Sequence, residues 1–138
     1  MKIGIGIGDI GGAPANVEGL IAQAKRAEAD GFASGWFANI FGMDAIMAAA
    51  LCARETSRIE LGTAVVPTYP RHPVAMAQQA LSAQAAAGGR FTLGIGLSHQ
   101  VVIEMMFGLS FNRRYVTNVV PFSVWTLPLV SFATMMYV

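Results

Sequence analysis

At 138 residues, with a net charge of +1 and only 12% charged side chains, the chain is the size of one ordinary domain and carries no basic face for nucleic acid. Apolar residues make up 54%, above the usual ~45–50%, and the excess falls in the last quarter. A single cysteine, Cys52, excludes an internal disulfide and fits a reducing compartment.

Met1–Gly8 holds one lysine and then alternating isoleucine and glycine. It lacks the apolar run of a signal peptide, so the cytoplasm is the expected location. Lys2–Gly8 (KIGIGIG) predicts a short buried strand whose glycines admit a neighbouring backbone. Gly6, Gly8 and Gly11 satisfy G-x-G-x-x-G, but Gly12-Ala13-Pro14-Ala15 intervenes before any helix and no acidic residue ends the next strand. That context speaks against a dinucleotide site. Asn16 is the predicted N-cap of a helix from Val17 to about Asp30, closed by Gly31. Val17, Leu20, Ile21, Ala24 and Ala27 form its inward stripe, and Lys25, Arg26 and Glu28 its solvated face.

Phe32–Phe37 is the second predicted strand, followed by a loop, Ala38–Met43, that holds Asn39. Asp44 caps an alanine-rich helix running to about Thr56. Cys52 sits among those alanines with no histidine near in sequence, which reads as a packed thiol. Ile59–Val66 is an apolar, β-branched run ended by Pro67, the pattern of a strand buried on both faces. Pro73 opens the next helix, with Val74, Ala77, Leu81 and Ala85 as its predicted inward stripe and Gly88-Gly89 as its stop. Phe91–Gly96 is the fourth strand, His99 lies just past its end, and a short helix follows over roughly Val101–Phe107. The order β-α-β-α-β-α-β implies a parallel sheet, closed into a barrel or left open.

Four segments in this order and spacing carry a family resemblance. They are Ala27-Glu28-x-x-Gly31-Phe32 leading to Trp36; Thr56-x-Arg58-Ile59-x-Leu61-Gly62-Thr63-Ala64-Val65; His72-Pro73; and Gly89-Arg90-Phe91-x-Leu93-Gly94-Ile95-Gly96. The chain from about Lys2 to Phe111 resembles the bacterial luciferase-like family of flavin- or deazaflavin-dependent (β/α)8-barrel oxidoreductases, and is most similar to the branch that uses coenzyme F420. The resemblance implies an α/β fold: residues 1–111 as a partial (β/α)8 barrel, its first four parallel strands with crossover helices, and residues 112–138 as an atypical apolar tail. It implies hydride transfer between F420 and a small organic substrate. The alternatives are an FMN-dependent monooxygenase of the same fold, or an inactive fragment with a structural or membrane-anchored role.

In such a barrel, chemistry gathers at the carboxyl ends of the strands. Those ends place Gly8–Ile10, Asn39, Ala64–Thr68 and Gly96–His99 on one rim. The resemblance implies a cofactor site of Asn39, Thr63, Ala64, Val65, Gly96 and Ser98, with His99 as the catalytic candidate. It also implies a bulge in the third strand with a non-proline cis peptide, by position Ala64–Val65, that backs the tricyclic ring; the alternative is an ordinary strand with every bond trans. Asn39 has the amide to donate to a ring carbonyl and accept from a ring N–H, or it forms a turn. The imidazole of His99 suits proton shuttling or substrate orientation, or else a cap or surface role. Ser98 either hydrogen-bonds the cofactor or caps the following helix. Arg71 and His72 either reach a phosphate or structure their loop, and Gly94 and Gly96 keep the pocket floor low.

The resemblance ends after Phe111. Tyr115–Val138 carries no charged residue, and Arg113-Arg114 stands directly before it, the pattern of a membrane span with cytoplasmic arginines. Asn118, Pro121 and Pro128 interrupt that run, which equally suits buried structure or a tail. A third reading is a frameshift: Met135-Met136 is encoded ATG-ATG, and one frame over that run contains GAT, an aspartate codon. Four strands leave two open edges, which either the apolar tail or pairing of two copies into a homodimer would cover.

Overall fold

The computed structural model describes residues 2–8 and 16–111. Its elements are β1 (Gly4–Ile7), α1 (Val17–Ala29), β2 (Ser34–Phe37), α2 (Ala45–Arg54), β3 (Glu60–Thr63), β4 (Val66–Pro67), α3 (Pro73–Ala86), β5 (Phe91–Thr92), β6 (Ile95–Gly96) and a π-helical turn, Val102–Met106. The strands lie in the order β1-β2-β3-β5, with β4-β6 continuing as a second pair. Every pairing is parallel: Ile7 faces Phe37, Phe37 faces Thr63, Gly62 faces Thr92 and Pro67 faces Gly96.

Local chemistry fixes the helix ends. The Asn16 side chain accepts the N–H groups of Glu18 and Gly19, and Asp44 accepts that of Met47 at 2.8 Å. Gly31, at φ +86°, leaves α1 through the left-handed region that glycine enters without a Cβ clash. The core lies between the helices and one face of the sheet, with Ala24, Phe37, Ile46, Ala49, Leu61, Val66 and Ala80 buried together.

Four expectations change. β1 is not a buried strand: Gly4 and Gly6 are exposed and Ile5 half-buried, with Ile7 alone buried. The third and fourth strands are each broken in two, at Ala64–Val65 and at Leu93–Gly94. There the Thr63 hydroxyl adds to the backbone ladder: Oγ1 donates to the Gly94 carbonyl and accepts the Gly94 N–H, each at 2.9 Å. The inward stripe of α3 is Met76, Ala77, Ala80 and Ala83, while Val74, Leu81 and Ala85 face outward. Apolar residues occupy both sides of that helix, so periodicity alone did not single out the buried one. Glu28 is no solvated-face residue either. Its carboxylate accepts the backbone N–H groups of Ser57, Arg58 and Ile59, at 2.7 Å for Arg58 and 2.9 Å for Ile59, and so anchors the approach to β3.

Ile10, Gly11 and the interrupting Gly12–Ala15 lie outside the described residues, as do the readings of 112–138: the membrane span, the frameshift and the tail boundary. Among the described residues, no helix is long and apolar enough to cross a membrane.

Candidate functional site

Parallel register decides where the candidates meet. β2 ends at Phe37 opposite the end of β3, and β4 and β6 end together at Pro67 and Gly96. Asn39, the Ala64–Thr68 segment and Gly96–His99 therefore leave the sheet at the same, carboxyl-terminal edge. The backbone carries the ladder across the strand breaks: Ala64 N–H to Phe37 O at 2.8 Å, Val66 N–H to Gly94 O at 2.9 Å and Thr68 N–H to Gly96 O at 2.9 Å.

Asn39 is held from behind. Its Oδ1 accepts the Ala45 N–H at 3.1 Å, serving an otherwise orphan donor at the start of α2, and lies 3.5 Å from Arg71 Nη2. The amide orientation is thereby set, and Nδ2 is the group left without a partner among the described residues. Asn39 is thus placed to donate; the accepting half of its expected role is taken by α2. Arg71 also pairs with Asp44 and donates to Gln79 Oε1 at 2.7 Å. His72 caps α3, with Nδ1 accepting the Val74 N–H at 3.3 Å. Both residues thus belong to the loop architecture, in line with the structural alternative. The Asp44–Arg71 link, 27 residues apart, had no local spacing to betray it.

Ala64 is exposed and Val65 half-buried, and the peptide between them is cis. Thr63 is fully buried, its hydroxyl engaged with Gly94, so it supports this edge from within. Gly94 and Gly96 are required by close approach: a Cβ at Gly94 would lie 1.9 Å from the Thr63 carbonyl oxygen, and one at Gly96 would lie 2.6 Å from Val65 Cγ2. The resulting surface of Ala64, Val65 and Gly96 is small and apolar, a surface that fits the face of a planar ring.

Ser98 adopts φ +65° and His99 is exposed. The turn that follows starts at Val102 with Val101 as its N-cap and no side-chain cap, so Ser98 does not cap it. Left-handed backbone at Ser98 redirects the chain before that turn begins. The turn is tied back by Glu104, which accepts from Gln100 Nε2 at 3.1 Å and from the Phe111 N–H at 3.3 Å, and by stacking of Phe111 on buried Tyr69.

The sheet face turned away from the helices bears a residue that sequence reasoning used only as a motif marker. The Trp36 indole lies across the strands, its Nε1 donating to Ser34 Oγ at 3.0 Å. A Cβ at Gly4 would lie 2.8 Å from Nε1, and one at Gly62 would lie 2.7 Å from the ring. Gly62 is the register partner of Trp36, whereas Gly4 pairs with Ser34 and meets the indole diagonally.

The opposite edge is structural. Arg90 donates to the carbonyls of Ala53, Thr56 and Ile59 at 2.8, 3.0 and 2.8 Å, and so binds the end of α2 to the start of β3. A cleft of about 330 Å³ there, lined by Lys2, Glu28, Phe32, Arg58 and Glu60, is remote from the candidate rim. The Ile59 N–H, foremost among its three donors, holds the Glu28 carboxyl below its ordinary value. Among the described residues, no cluster of side chains could hold a metal ion.

Comparison with known proteins gives these findings. The family described as luciferase-like monooxygenase matches residues 2–118. A Mycobacterium tuberculosis protein with the provisional name of coenzyme F420-dependent oxidoreductase is 37% identical over 114 residues, covering 82% of this chain and 32% of its own length. An uncharacterized Mycobacterium bovis protein is 32% identical over 65% of this chain and 26% of its own. The chain thus spans about a third or less of the length of these relatives. Among solved structures, the coenzyme F420-dependent tetrahydromethanopterin reductase of Methanopyrus kandleri gives a TM-score of 0.67 at 24% identity, over 77% of this chain and 30% of that one. The oxygenating constituent of 3,6-diketocamphane monooxygenase of Pseudomonas putida, in complex with FMN, gives 0.74 at 17% identity, over 91% of this chain and 38% of that one. Their folds agree with the parallel strands and crossover helices seen here.

Proposed function

Because the chain belongs to the luciferase-like monooxygenase family, we propose that it is the N-terminal portion of an oxidoreductase moving a hydride between coenzyme F420 and a small organic substrate. What carries the reading is the meeting of an oriented Asn39 amide, the small apolar surface of Ala64, Val65 and Gly96, and the Ser98-His99 pair at one edge of a parallel sheet. The relative that is 37% identical favours the deazaflavin.

When bound, the deazaflavin supplies the hydride chemistry. The chain's residues hold it. Ala64, Val65 and Gly96 lie against the ring face, and Asn39 Nδ2 donates to a ring carbonyl. The Ser98 hydroxyl offers a further hydrogen bond, and Thr63 keeps the shelf rigid. His99 holds or moves a proton at an imidazole nitrogen beside the substrate. The compartment that goes with this reading is the cytoplasm, where the buried Cys52 thiol, pushed up to about 11 by desolvation, stays reduced.

The FMN-dependent monooxygenase is the second reading, favoured by the likeness to an FMN-bound structure. Equilibrium dialysis against F420 and FMN separates them. The expected result is retention of F420 above FMN. Retention of FMN alone would favour the second reading, and retention of neither would overturn both.

A further inference from the structure

One side chain ties together the loops that leave β2 and β4 at the candidate rim. The Arg71 guanidinium directs Nη2 to the first loop, onto the Asp44 carboxylate and toward Asn39 Oδ1 at 3.5 Å. Its Nη1 donates to Gln79 Oε1 on α3 at 2.7 Å. The Arg71 backbone N–H donates to the Thr68 carbonyl at 3.3 Å, which fixes the root of the side chain beside the end of β4. Only 18% of the side chain is exposed, so the guanidinium is confined between the two loops. A primary amide turned end for end keeps nearly the same shape, and its neighbours alone decide which end faces a ligand. Both polar partners of Asn39 are donors: Ala45 N–H at 3.1 Å and Arg71 Nη2 converge on Oδ1. The reversed amide would set its own N–H groups against both, donor against donor, one of them cationic.

We propose that Arg71 is a positioning residue of the rim: it holds the Asn39 amide with Oδ1 turned inward and so leaves Nδ2 to donate to the ligand. This rests on the reading of Asn39 as a ligand-binding residue given above, and Arg71 acts through Asn39 rather than on the ligand. The neutral Ala45 N–H biases the amide one way, and an ionised donor on the same oxygen deepens that bias, since charge-assisted hydrogen bonds are the stronger kind. Asp44 aims the cation in turn. Its Oδ1 caps α2 at Met47 while Oδ2 takes Arg71, so one helix start supplies the Ala45 donor and steers the guanidinium to the same amide. Lysine has the charge without the fork: a single ammonium does not serve Asp44, Asn39 and Gln79 together.

Amide hydrogen exchange of the full chain, read by NMR without cofactor, tests the orientation directly. The Ala45 N–H is the reporter, because Asn39 Oδ1 is its acceptor, and the Met47 N–H, bonded to Asp44 at 2.8 Å, is the control for the helix end. Arg71→Ala and Arg71→Lys should each speed exchange at Ala45 by about tenfold and leave Met47 within about twofold of wild type. Retention of F420 in dialysis should fall several-fold in both, and the lysine variant shows that the loss is not one of charge. Unchanged exchange at Ala45 would overturn the proposal. So would equal acceleration at Ala45 and Met47, which marks a residue that only holds the end of α2. Retention lost in Asn39→Asp but kept in both Arg71 variants would overturn it with the reading of Asn39 intact. Retention that survives Asn39→Asp would overturn that reading and the link from Arg71 to the ligand, whatever the exchange at Ala45.

Discussion

Thr63 and Gly94 are joined by two hydrogen bonds through a single hydroxyl, which gives to the Gly94 carbonyl and takes from the Gly94 N–H, each at 2.9 Å. This pair spans the point where the third and fourth strands both break. It leaves the Ala64–Val65 edge exposed while its base stays fixed.

Thr63→Val keeps the shape and removes both bonds, orphaning the Gly94 N–H. The expected loss is about 1–3 kcal/mol in urea unfolding, against less than about 1 kcal/mol for Thr63→Ser, which retains the hydroxyl. Equal losses in the two variants would refute the pairing as the source.

Close approach gives a sharper contrast. Gly94→Ala drives a methyl to 1.9 Å from the Thr63 carbonyl oxygen, whereas at Gly6 a Cβ meets nothing within 4 Å. Gly94→Ala should fail to give a cooperatively folded chain, and Gly6→Ala should stay within about 0.5 kcal/mol of wild type. Thermal unfolding followed by circular dichroism reads both.

Asn39→Asp separates holding from binding. A carboxylate still accepts the Ala45 N–H and still faces Arg71, so the unfolding midpoint should move by less than about 1 kcal/mol. It has no N–H to donate, so whatever F420 retention dialysis detects should fall. A variant that binds as well as wild type would remove Asn39 from the site.

Glu28 makes stability pH-dependent with a definite sign. Hydrogen bonds from Ile59, Arg58 and Ser57 hold its carboxyl below the ordinary 4.5. Its contribution is therefore complete above that value and is lost as pH falls through the lowered folded value. Glu28→Gln should be less stable at neutral pH and should show a shallower decline on acidification. Urea midpoints at pH 7 and pH 3 measure this; parallel declines would count against it.

Signals contained within one turn of chain were legible beforehand. The caps Asn16 and Asp44, Pro73 at the head of α3 and the left-handed Gly31 each act on neighbours a few residues away. The family motifs likewise located the rim and the cis Ala64–Val65 bond. What escaped was the wiring between distant segments. Glu28 serves N–H groups about 30 residues on, Arg90 serves carbonyls as far as 37 residues back, and Arg71 reaches across to Asp44. A charged residue on a helix looks alike whether it meets water or a backbone from the far side of the sheet. The buried side of α3 escaped for a different reason: with apolar residues all round, only the packing of Met76 and Ala80 distinguishes it.

The flat indole of Trp36 makes three positions on three strands into one unit of inheritance. Neither Gly4 nor Gly62 has room to gain even a methyl: the ring stands over both, with Ser34 Oγ closing on the first and the Thr92 carbonyl on the second. Among descendants of this fold, a bulky 36 should be accompanied by bare 4 and 62, and a smaller 36 does not by itself free 62, which the Thr92 carbonyl also closes.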